Sequence, residues 1–213
     1  QIEIGEFLGS SAANTVTVQS YTGSASDVTW QYTPTSTNNY VLKINETDHL
    51  AIKNITFDAS TSSSYSTALD ITGTTDSLLI QGNVFIGYDY NGSSANYYLV
   101  ESTSNTGTGM VFTGNTFTEG SYGLYIYNGA ADDGELKITN NVFSGQYNGI
   151  YINSVDSVEV SGNTVTGANQ YGINTNDCSP VTVTGNKVGS SNTGILIENS
   201  YYGNSTERSL VAN

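Results

Sequence analysis

The segment VEVSGNTVTG, Val158 to Gly167, recurs 23 residues later as VTVTGNKVGS, Val181 to Ser190. Upstream copies are LKITNNVFSG (Leu136 to Gly145), MVFTGNTFTE (Met110 to Glu119) and LLIQGNVFIG (Leu78 to Gly87). Each unit is an alternating apolar run, a tight Gly-Asn or Asn-Asn, and a second apolar run. Aligned on the Asn after the turn, the copies fall at Asn83, Asn115, Asn141, Asn163 and Asn186, at intervals of 32, 26, 22 and 23 residues. A looser copy, LAIKNITFDA at Leu50 to Ala59, carries Ile55 in the Asn position.

A second ladder runs through the gaps. Gly-Leu-Tyr-Ile at Gly123, Gly-Ile-Tyr-Ile at Gly149, Gly-Ile-Asn-Thr at Gly172 and Gly-Ile-Leu-Ile at Gly194 follow at intervals of 26, 23 and 22. Ala68-Leu-Asp-Ile and Val41-Leu-Lys-Ile extend it upstream. Two interlocked ladders of this period define a solenoid. Each unit holds three short segments with period-2 alternation between Gly, Asn and Ser turns, which is a strand signal. Three strands per coil, stacked about 4.8 Å apart, make an all-β parallel β-helix of about seven to eight coils. Its core is read as columns of like residues: Leu50, Leu78, Met110, Leu136, Val158 and Val181 in one, and Phe57, Phe85, Phe117, Phe143, Val165 and Val188 in another. The inward Asn of each turn is expected to stack as a ladder, its amide bonding the next coil, and Asn also tolerates a left-handed backbone there.

Composition agrees. Only 11% of the 213 residues are charged, against roughly 25% in ordinary domains. Gly (23) and Tyr (16) are abundant, an alphabet that favours turns and strands. Formal net charge is -14. The five basic residues, Lys43, Lys53, Lys137, Lys187 and Arg208, form no stripe. Nucleic-acid binding is therefore not expected, and neither is an anionic membrane surface. No run of apolar residues is long enough for membrane insertion. The lone Cys178 excludes an internal disulfide and a Cys-based zinc site.

The repeat resembles the right-handed parallel β-helix repeat proteins over roughly Asn14 to the C-terminus. NTVTVQS and the later DVTWQYTPTSTNNYVLKINETDHLAIKNITF are similar to modules of large secreted or surface proteins of Bacteroidetes-type bacteria. This resemblance implies a secreted or cell-surface location. Residues 1–213 read as one domain, and SLVAN at Ser209 to Asn213 reads as the start of another coil. Adjoining domains of a longer polypeptide are the expectation.

Candidate functional residues lie at positions the repeat leaves free. The outward column of the Gly-led ladder is read as Lys43, Asp70, Tyr125, Tyr151, Asn174 and Leu196, with Tyr122, Tyr147 and Tyr171 around its leading turn. Aromatic rings among amides suit the apolar faces and hydroxyls of sugars. Tyr122, Tyr125, Tyr147, Tyr151, Tyr171 and Asn174 are thus the expected contacts for a polysaccharide or cell-surface glycan. Acidic turns carry Asp48, Asp76 and Asp156, and the densest group is Asp132, Asp133 and Glu135. Stacked carboxylates repel unless neutralised. Calcium is the cofactor these three could hold, although no cofactor is required; turn capping is the plainer alternative.

Polysaccharide lyases and hydrolases also use this fold. Lyases need a base and a cation, and no paired Lys and Arg occur here. Hydrolases need two carboxylates on the scissile bond. INTNDCSP, Ile173 to Pro180, resembles the Asn-Thr-Asp signature of polygalacturonase-like hydrolases, but their Asp-Asp, Gly-His-Gly and Arg-Ile-Lys motifs are missing. His49 stands alone in a turn after Asp48. The reading is a non-catalytic extracellular module for carbohydrate binding or adhesion. A lyase or hydrolase with an incomplete catalytic set in this segment, or a structural stalk, are the alternatives.

Overall fold

Residues that alternate in and out along a strand place one side chain per coil at each position, so stacked coils turn a sequence repeat into columns. The computed structural model describes residues 1–103, 107–127, 135–190, 192–199 and the backbone of 210–212. It is a parallel β-solenoid of three sheets with eight, eight and seven strands. The first sheet runs through Ile2–Ile4, Leu42–Asn45, Leu69–Thr72, Tyr98–Thr103, Tyr122–Tyr127, Asn148–Asn153, Tyr171–Asn176 and Thr193–Glu198. The second runs from Val16–Gln19 to Leu210–Ala212, and the third from Thr29–Gln31 to Lys187–Ser190. All strand pairs between coils are parallel, and each sheet takes one strand from successive coils. Three strands per coil, as the spacing predicts, is the arrangement found.

Both core columns form in register. Met110, Leu136, Val158 and Val181 align in the second sheet. Phe57, Phe85, Phe117, Phe143, Val165 and Val188 align in the third. The phenylalanines stack with centroids 5.2, 5.0 and 4.4 Å apart and nearly parallel planes. Trp30 begins this column, meeting Phe57 edge-on at 5.4 Å. The sequence columns omit Trp30 because the first coil lacks the Gly-Asn turn that marks the others.

The Asn ladder is continuous and inward. Oδ1 of Asn83 accepts from Ile55 N, and Oδ1 of Asn115, Asn141, Asn163 and Asn186 each accepts from the backbone N of the previous ladder Asn. Each Nδ2 donates to a carbonyl one coil back, as Asn141 does to Phe112 O at 2.9 Å. The left-handed conformation falls one residue earlier than expected, on Gly82, Gly114, Asn140, Gly162 and Gly185. Glycine suits that corner because it has no Cβ to clash at positive φ. The ladder Asn is selected for its amide, not for its backbone.

The Gly-led ladder has a different cause. A Cβ on Gly149 would lie 2.5 Å from Gly172 O and 2.7 Å from Val165 Cγ1. The chain here enters the first sheet directly above the aromatic and valine column, leaving no room for a methyl group.

The acidic turns cap their neighbours. Asp48 Oδ1 accepts from Asp76 N at 2.8 Å, and Asp76 Oδ1 accepts from Thr108 N at 2.6 Å. Successive coils thus engage these carboxylates by backbone amides. The longer turns also pack back onto the solenoid. Tyr90 stacks on Tyr97 at 4.0 Å, Tyr97 Oη donates to Ser63 O, and Asn91 Oδ1 accepts from Asn169 Nδ2.

Candidate functional site

Strand alternation leaves one polar and aromatic row along the outside of the first sheet. In register it reads Glu3, Lys43, Asp70, Glu101, Tyr125, Tyr151, Asn174 and Leu196. Glu101 is the member that the sequence ladder misses. Its strand has Leu99 where later coils have the marker Gly, and Ser102 stands in the inward column occupied by Ile71, Ile126 and Ile152. The remaining signal is Val100 followed by an outward acid, matching Leu69 and Asp70.

The tyrosines come together as one cluster. Tyr98 stacks on Tyr125 at 4.3 Å and 17°, and Tyr125 on Tyr151 at 5.1 Å and 12°. Tyr122 meets all three rings edge-on or face-on at 74° to 90°. The four rings thus pack on one another along the sheet. Coil spacing is close to ring-stacking distance, so in-register tyrosines cover each other's faces and present edges and hydroxyls. Among the described residues, no ring stacks on the side of Tyr151 toward Asn174.

The other expected contacts lie around this cluster. Tyr171 is in register with Asn148, which is in register with Tyr122. Tyr147 precedes that row by one residue and makes no ring contact among the described residues. Asn148 occupies its place and accepts from Tyr171 N at 3.0 Å. Asn174 is only 5% exposed, and its Oδ1 is buried without a hydrogen-bond partner. A buried unpaired acceptor costs about 1–3 kcal/mol.

At the other end of the row, Asp70 pairs with Lys43 at 3.8 Å, and Lys43 lies 5.8 Å from the centre of the Tyr40 ring. Glu101 is the register partner of Asp70, and among the described residues its carboxyl has no hydrogen-bond or ion-pair partner. Burial, reinforced by the Asp70 charge, pushes its carboxyl up to about 7. Burial also raises Asp70, although Lys43 opposes it. Tyr98 and Tyr125 are raised, first by burial and then by neighbouring tyrosines.

Glu101 therefore binds a proton more tightly folded than unfolded, where its value is near 4.5. Stability contributed by the protonated form is present below that value and is lost as pH rises toward 7. Discounted for partial exposure, the loss is roughly 1–2 kcal/mol. Glu101→Gln is expected to be more stable than the parent at pH 8 by about that amount and to lose this slope. Thermal melts from pH 4 to 8 check it; parallel curves for parent and variant would refute it.

Of the expected calcium ligands, Asp132 and Asp133 lie outside the described residues, and Glu135 is paired with Lys137. Among the described residues, no group of three His, Cys, Asp or Glu is arranged to hold a metal ion. His49 sits in a turn at φ 53°. Cys178 is buried with Sγ 3.2 Å from Asn176 O, and burial pushes its thiol up to about 11. A thiol so held is a poor nucleophile.

The family model described as right handed beta helix region matches residues 99–213, more than half of the chain. The chain belongs to this family. No curated protein and no solved structure matches it. As a right-handed β-helix it shares a coil architecture that different chemistries use, so its function must be argued from its own outward rows. In this right-handed β-helix, no helix among the described residues is long and apolar enough to cross a membrane.

Proposed function

We propose that the protein is a non-catalytic, extracellular β-helix module that binds a polysaccharide along the outer face of its first sheet. The observation that carries this reading is the cluster of Tyr98, Tyr122, Tyr125 and Tyr151 on the outer face of the first sheet, whose packed rings present edges and hydroxyls. The apolar edges and hydroxyls of sugars match such a surface. Coil spacing supports the direction of the chain, because one coil of about 4.8 Å is close to the length of one sugar unit. Tyr125 and Tyr151 offer ring edges and hydroxyls for such contacts.

The carboxylates of the row, Asp70 and Glu101, are register partners on one sheet. Lys43, the cation of the row, is held by Asp70, which leaves it unsuited as a lyase base.

A glycan array followed by calorimetry tests the reading. Tyr151→Ala and Tyr125→Ala are expected to weaken binding about tenfold each, the loss of ring-edge and hydroxyl contacts. Tyr147→Ala should change affinity by less than about twofold, being outside the ring cluster. Unchanged affinity in both Tyr151→Ala and Tyr125→Ala would overturn the proposed face.

A further inference from the structure

The connections from the third sheet to the first change length along the solenoid. In the first three coils they span residues 32–41, 59–68 and 87–97, whereas in the next three they shrink to 119–121, 145–147 and 169–170. The long ones stack into a bank. Thr33 and Thr61 share a hydroxyl hydrogen bond at 3.0 Å, Asn39 Nδ2 donates to Asn96 O at 3.2 Å, and Tyr97 Oη donates to Ser63 O at 3.0 Å. The bank ends at 87–97, and the tyrosine cluster begins where the connections become short. Residues 91–94 continue past that step. Ser121 Oγ accepts from Ser94 N at 3.0 Å and donates to Gly92 O at 2.7 Å. Asn91 Oδ1 accepts from Asn169 Nδ2 at 2.6 Å. Backbone hydrogen bonds join Ser121 to Tyr97, Asn148 to Ser121 and Gln170 to Tyr147, so the turn reaches over three coil steps, about 14 Å. It also rises to the level of the ring hydroxyls, because Ser93 Oγ lies 3.2 Å from Tyr122 Oη, the outer end of that ring.

Resting on the glycan reading above, we propose that this turn walls the tyrosine face so that it takes single soluble glycan chains and excludes crystalline polysaccharide, with Ser93 as a specificity-determining contact. A crystalline polymer presents a flat layer of sugar rings, which is held by open, coplanar aromatic faces. Tyr125 is covered on both faces, by Tyr98 at 4.3 Å and by Tyr151 at 5.1 Å, and Tyr122 stands at 83° to 90° to Tyr125 and Tyr151. These rings form no platform, and the wall beside them keeps a flat surface off their edges. A single chain fits the same shape. It lies along the axis in the angle between wall and rings, with hydroxyls toward Ser93 and Tyr122 on one side and toward Tyr125 and Tyr151 beneath. Asn91 and Ser93 are exposed on the turn, and the stack of Tyr90 on Tyr97 at 4.0 Å and the Asn169 amide hold it in place before a ligand arrives, which lowers the ordering cost of binding. The chain is neutral rather than acidic, since a net charge of -14 repels anionic polymers.

Two neutral sugars available in both forms decide the matter: cellohexaose against microcrystalline cellulose, and the N-acetylglucosamine hexamer against crystalline chitin. Calorimetry measures the hexamers, and depletion from solution measures the solids. At least one hexamer should bind, and its solid should retain no protein beyond the level of an inert carrier. Ser93→Ala, at an exposed position, should weaken hexamer binding about threefold, the worth of one hydrogen bond. A turn with residues 89–94 replaced by two glycines should lose about tenfold, and its retention on the solid should rise relative to hexamer binding. Thr166→Ala, on the third sheet, should leave both unchanged. Thermal melts establish that each variant is folded, and Ser93→Ala carries the test if the shortened turn is not. Retention on a solid as strong as hexamer binding would overturn the wall while keeping the glycan face. Unchanged hexamer affinity in Ser93→Ala and in the shortened turn would do the same. No binding of either hexamer or either solid would overturn the glycan face itself.

Discussion

Asn141→Ala is expected to destabilise the protein by about 3–5 kcal/mol, because one side chain serves several buried groups. Asn141 Nδ2 donates to Phe112 O at 2.9 Å and to Asn163 Oδ1 at 3.0 Å. Its Oδ1 accepts from Asn115 N and Asn115 Nδ2, both at 2.9 Å. Removing the amide leaves Phe112 O and Asn115 N unpaired in a core where Asn141 is 1% exposed. Each such group costs about 1–3 kcal/mol. Asn141→Asp separates hydrogen bonding from volume. It keeps the shape but puts an oxygen where Nδ2 faced two acceptors, so it should cost at least as much as alanine. Denaturant unfolding measures both, and hydrogen exchange should locate the loss at the Asn115 and Asn141 turns, since neighbouring coils couple most strongly. A well-tolerated Asn141→Asp would show that the ladder is held by packing alone.

Phe117→Ala is expected to cost a similar amount, about 3–5 kcal/mol, for an apolar reason. The ring is fully buried in the third-sheet column, 5.0 Å from Phe85 and 4.4 Å from Phe143. Alanine leaves a cavity between two coils that cannot close, because the strands on either side are fixed by their own hydrogen bonds. It also takes one stacking partner from each neighbouring ring, worth about 0.5–1.5 kcal/mol apiece. Phe117→Leu refills most of the volume without the stack and should recover more than half of the loss. Trp30→Ala, at the half-buried head of the same column, should cost clearly less. The midpoints of guanidinium unfolding rank the three variants; equal losses at positions 30 and 117 would contradict the cavity account.

These two side chains are also where the sequence is most legible. Asn141 and Phe117 recur at the same place in coil after coil because a solenoid offers each position the same surroundings. The outward row is less legible. Tyr125, Tyr151 and Asn174 could be aligned from the Gly-led ladder, but Glu101 could not. Its coil lacks the marker Gly, and a longer turn before it, packed by Tyr90 on Tyr97, absorbs the extra residues. Turn length carries no information on register until the turn is folded. Tyr147 shows the converse: a tyrosine near the right spacing that falls one residue outside the row.

The sequence by itself determined the three-stranded coil, its parallel stacking, the Phe column and the Asn ladder, because each depends on short-range alternation repeated at a near-constant period. Tertiary structure alone decided which way the tyrosine rings turn and what stands next to what across coils. Stacking covered both faces of Tyr125 with neighbouring rings, and pairing between coils brought Glu101 beside Asp70. Those outcomes depend on distances between residues 24 to 31 positions apart, which are set only when the coils lie on one another.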